Sequence, residues 1–78
     1  MPTLRRDGPY RFFFFSNKGF EPPHVHVQRG RAAAKFWLRP VALASSTGFA
    51  GHELRRLEAL VEYHRNDFEE AWNEFFGA

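Results

Sequence analysis

The apolar positions change period halfway along the chain. From His24 to Gln28 apolar and polar residues alternate, so Val25 and Val27 share one face of a strand, and His24, His26 and Gln28 share the other. An earlier strand is predicted over Tyr10-Arg11-Phe12-Phe13-Phe14-Phe15-Ser16, an aromatic run that opens after Gly8-Pro9. The connection Asn17-Lys18-Gly19-Phe20-Glu21-Pro22-Pro23 is full of turn formers. Arg29-Gly30-Arg31 suits a tight hairpin with Gly30 at positive φ. Ala32 to Leu38 forms the returning strand. Beyond Pro40, Val41-Ala42-Leu43-Ala44 reads as a short strand at a sheet edge, where proline is tolerated.

From Ser45-Ser46-Thr47-Gly48, read as a loop, the period becomes helical. Leu54, Leu57, Leu60, Val61 and His64 recur at spacings of three and four and share one helical face. Asn66 or Asp67 interrupts the run. Asp67 with Glu70 three residues on resembles a capping box for a second helix, whose apolar stripe is Phe68, Ala71, Trp72, Phe75 and Phe76. Strands first and helices after argue an α+β domain: a small antiparallel sheet of three to four strands, with two C-terminal helices packed on one face. Residues 1–78 are one domain at this length.

Parity then sorts the two sheet faces. Val25, Val27, Ala34, Phe36 and Leu38 belong against the helices. The opposite face receives His24, His26, Lys35, Arg39 and an exposed Trp37. The first strand is apolar on both sides, so either Phe12 and Phe14 or Phe13 and Phe15 lie on that open face.

Composition narrows the class. The chain is 44% hydrophobic and 18% aromatic, with ten Phe, which is globular rather than disordered. There are no cysteines, so disulfides and thiolate zinc sites are excluded and a reducing compartment fits. Neither an apolar run of membrane-spanning length nor a secretory h-region follows the N-terminus, and the expected setting is cytoplasmic. The net charge of +2 conceals an asymmetry: residues 1–40 carry eight Lys/Arg against two acids, and residues 41–78 three Arg against seven acids. A basic half could meet an anionic partner such as nucleic acid; equally, the two halves could attract one another.

Pro22-Pro23-His24-Val25-His26-Val27 is the most specific string. Histidines at i and i+2 on a strand project in parallel, about 7 Å apart at Cα. Such a pair can share a metal ion, or act as acid and base at one phosphate. Two ligands alone do not complete a zinc site. This string resembles the small prokaryotic family of unknown function numbered 4160, together with Met1-Pro2-Thr3, Gly30, Ala34-Lys35-Phe36-Trp37-Leu38, Leu60-Val61-Glu62-Tyr63-His64 and Phe68-Glu69-Glu70-Ala71-Trp72-Asn73-Glu74. The chain departs from that family's common pattern at Trp37, where an acid is usual, and in its quadruple Phe. The resemblance implies a toxin–antitoxin-like pair with a small protein of the family of unknown function numbered 2442, encoded alongside. It implies no established reaction. It also places His24, His26 and His64 at positions where the family pattern has histidine.

Three functions compete. In the first, the chain acts on RNA: Arg29, Arg31, Lys35 and Arg39 hold phosphates, Trp37 and a Phe of the first strand stack bases, and His24 and His26 move protons at a 2′-OH, joined by His64. In the second, a non-catalytic module docks its partner through the aromatic face, with structural histidines; a homodimer is a variant of this reading. In the third, His24 and His26 bind a metal with an outside ligand. No cofactor is called for: the chain has neither a P-loop nor a dinucleotide fingerprint.

Overall fold

The computed structural model describes residues 3–15 and 20–77. Its elements are β1 (Thr3–Asp7), β2 (Tyr10–Phe13), β3 (His24–Arg29), β4 (Ala32–Leu38), β5 (Val41–Thr47), α1 (Gly51–Tyr63) and α2 (Arg65–Phe76). The strands form one antiparallel sheet in the order β1-β2-β3-β4-β5, and the helices cover one face, as the α+β reading expected. Ser16 of the expected first strand, the turn residues Asn17-Lys18-Gly19, and Met1-Pro2 lie outside the described residues.

The sheet has five strands rather than three or four. β1 escapes a reading of hydrophobic pattern because Leu4 is its only apolar side chain and most of it is exposed. It is recruited by a two-residue hairpin in which Asp7 pairs with Tyr10 and Gly8 takes a φ of 60°. Positive φ at the first central residue is what a type II′ turn requires, and glycine meets it without a Cβ clash. Gly30 does the same between Arg29 and Ala32, with φ 59°, as expected of that hairpin. β5 also runs three residues beyond the expected Val41–Ala44. Ser45, Ser46 and Thr47 pair with Lys35, Ala34 and Ala33, and backbone pairing makes no demand for apolar side chains.

Parity resolves the ambiguous Phe run. Phe12 and Phe14 face the helices with no exposed surface, joined by Val25, Val27, Phe36, Leu38, Leu57 and Val61. Phe68 and Trp72 of α2 complete this core, whereas Phe75 turns outward at 46% exposure. The expected second-helix stripe therefore closes on Phe76, whose ring lies 4.1 Å from that of Trp72.

The helix break falls at His64, not at Asn66 or Asp67. His64 sits at φ −98°, ψ 11°, and the Phe68 N–H donates to its carbonyl at 3.0 Å, so the helices meet across one residue. Asp67 makes no side-chain cap bond and lies in the first turn of α2, where its charge complements the helix dipole.

Candidate functional site

Pro22 and Pro23 lead into β3 as a pinned segment. The Leu38 N–H donates to the Pro23 carbonyl at 3.0 Å, tying the start of β3 to the end of β4. The His24 Nδ1–H donates to the Pro22 carbonyl at 2.9 Å, which sets the Nδ1-protonated tautomer when the ring is neutral. His24 and His26 project together, opposite the buried Val25 and Val27, with ring centroids 5.1 Å apart.

They lie on the face turned away from the helices, as alternation implies, but aromatic rings cover that end of it. His24 has no exposed surface. Its ring meets Trp37 at 5.8 Å and Trp72 of α2 at 4.9 Å, so it joins aromatic groups from both sides of the sheet at the sheet's end. His26 stacks on Phe13 at 5.5 Å and meets the edge of Phe15 at 4.5 Å. Phe13 itself is only 5% exposed, and Arg11 lies over its ring at 4.4 Å. Trp37 is half-buried rather than exposed, beneath the Lys35 ammonium 4.4 Å from its ring centre.

His64 occupies a different place. It packs against Tyr63 and Phe68 at the helix joint and lines a cleft with Leu4, Arg5 and Asp67. Among the described residues, no three His, Asp or Glu side chains are grouped to hold a metal ion.

Three of the four cations assigned to phosphate contact have acidic neighbours. Arg29 grips Glu53 of α1 through Nε at 2.9 Å and Nη2 at 3.0 Å, and the Tyr10 hydroxyl donates to the same carboxylate at 2.7 Å. These bonds, that of Arg29 first, hold the Glu53 carboxyl below its ordinary range. The same contacts with Glu53 raise the Tyr10 phenol and the Arg29 guanidinium. Lys35 pairs with Glu21. Arg39, placed by parity on the open face, instead turns to Glu69 of α2, which Arg65 also approaches. It stands in the β4–β5 turn, beyond the last paired residue Leu38, where strand alternation no longer directs a side chain. Arg31 is exposed in the β3–β4 turn. Glu21, Glu53 and Glu69 were not singled out by sequence reasoning, and only the charge contrast between the halves hinted at them.

Fold and site together define a small α+β domain: a five-stranded antiparallel meander, two helices on one face, and a seam of histidines and aromatic rings at the Pro-Pro-His-Val-His turn. The family model for the domain of unknown function DUF4160 matches residues 10–73, and the chain belongs to that family. No curated protein and no solved structure matches it.

Proposed function

We propose that this domain is the docking component of a two-protein, toxin–antitoxin-like pair in the cytoplasm, with His24 and His26 holding the fold rather than performing a reaction. The observation that carries this reading is the fate of the basic residues. Arg29, Lys35 and Arg39 each engage a glutamate of the same chain, so charges that would hold phosphates are already neutralised internally. The burial of His24 supports it too, because a proton carrier needs its substrate within hydrogen-bond reach. The partner proposed is a small protein of the family numbered 2442, which the family resemblance implies is encoded alongside.

The test mixes the purified chain with that neighbour and follows complex formation by calorimetry, alongside salt-titrated binding of a single-stranded RNA. The expected result is a stoichiometric complex with the neighbour, and RNA affinity that is weak and unchanged when Lys35 and Arg39 are replaced together. RNA binding with a log–log salt slope near −0.7 per phosphate contact, flattened in that double variant, would reverse the reading. So would RNA cleavage lost on replacing His24 or His26.

A further inference from the structure

The open sheet face carries a row of residues that the internal ion pairs leave out. Arg6 of β1 stands directly across from Arg11 of β2, and Arg11 stands across from Gln28 of β3. Like charges placed opposite one another on a sheet repel. Among the described residues, neither arginine is paired with an acid. The Arg11 guanidinium carbon lies 4.4 Å from the Phe13 ring centre, with Nε and Nη2 shielded from solvent and without an acceptor. Shielded donors without an acceptor are costly, and a row of cations without an anion compounds the cost.

Those two nitrogens form the side edge of the guanidinium fork. The neighbouring strand shows what that edge does here: Arg29 uses its own Nε and Nη2 to hold both oxygens of Glu53. A planar carboxylate is matched by this edge in two parallel bonds. We infer that Arg11, flanked by Arg6 and Gln28, is a docking site for a carboxylate side chain of an acidic segment in a partner protein, reached when the guanidinium swings off Phe13. That the carboxylate belongs to a protein rests on the docking reading above. A nucleic acid would bring bases that need open aromatic faces, whereas Phe13 is nearly sealed and Trp37 lies under Lys35.

The experiment uses the full chain and a fluorescein-labelled hexaglutamate peptide, with an oligouridylate of equal charge as comparator. Fluorescence anisotropy reads Kd for wild type, Arg11→Gln, Arg11→Lys, Arg6→Gln and Arg55→Gln. The last removes the same unit of charge from the exposed surface of α1. Arg11→Gln is expected to weaken peptide binding by at least about tenfold, because a charge-assisted pair is lost. Arg11→Lys should recover only part, since an ammonium is a point charge without the fork. Arg6→Gln should weaken binding less than Arg11→Gln, and Arg55→Gln should change it little; unaltered circular dichroism confirms that the variants fold.

Absence of peptide binding, equal Kd for wild type and Arg11→Gln, or an equal loss in Arg55→Gln would overturn the site. Tighter binding of the oligouridylate than of the peptide would overturn the acidic segment as its ligand. The two proposals fail separately. If the neighbour complex forms equally well with Arg11→Gln, docking stands and this site falls. If hexaglutamate binds through Arg11 while the neighbour forms no complex, the site stands and the pairing falls.

Discussion

Replacing Trp72 by alanine removes the side chain that joins α2 to the sheet. The indole is 3% exposed and is enclosed by Phe14 at 5.1 Å, Phe76 at 4.1 Å and His24 at 4.9 Å. It is the side chain through which α2 reaches both the sheet and the histidine seam. Truncating so enclosed a Trp typically costs about 3–5 kcal/mol through lost transfer energy and a cavity. A folded chain of 78 residues holds about 4–12 kcal/mol in total, at roughly 0.05–0.15 kcal/mol per residue. The truncation therefore removes a quarter of the stability at least and all of it at most. For a domain of this size each kcal/mol moves Tm by about 4–8 °C, so the expected fall is at least about 12 °C. Circular dichroism melts and urea midpoints, run beside a Trp37→Ala control, provide the measurement. Trp37 is only half-buried, so its removal should cost clearly less. A Trp72→Ala protein melting within a few degrees of wild type, or one more stable than Trp37→Ala, would refute the argument.

Other outcomes follow from the same contacts. His24→Ala leaves a hole between two Trp rings and the Pro22 carbonyl without its donor, and should lower stability by about 2–4 kcal/mol in urea titrations; His24→Asn, which keeps a donor near Nδ1, should recover part of this. Because the folded state holds the Glu53 carboxyl below 4.5, its stabilisation is complete above that pH and is lost as pH falls through the depressed value. Tyr10 behaves oppositely: its phenol is raised, so its contribution is complete below 10 and is lost as pH rises through the raised value. Glu53→Gln should accordingly lower Tm at pH 7 and flatten both the acid and the alkaline limbs of a Tm–pH profile. Gly30→Ala has open space for its Cβ but forces alanine to φ 59°, and a loss of about 1–2 kcal/mol should appear as a lower urea midpoint at unchanged slope.

Local chemistry was enough to read much of this domain from the chain. Alternation at Val25 and Val27, the glycine of the Arg29-Gly30-Arg31 hairpin and the helical spacing of Leu57, Val61, Phe68 and Trp72 each depend on neighbours a few residues away. They sufficed for the α+β class, the inward face of the sheet and the projection of His24 beside His26. Long-range partners decided the rest. β1 exists because a hairpin folds a polar segment onto β2, and backbone pairing leaves no hydrophobic mark on the sequence. His24 is sealed because Trp72, 48 positions later, arrives at the sheet's end. Arg29, Lys35 and Arg39 look like a binding surface in a list of residues, and only folding brings Glu53, Glu21 and Glu69 against them. Which charges are neutralised, and which remain on Arg6 and Arg11, is thus a property of the tertiary structure: Coulomb attraction acts over a few ångströms of space, whatever the separation along the chain.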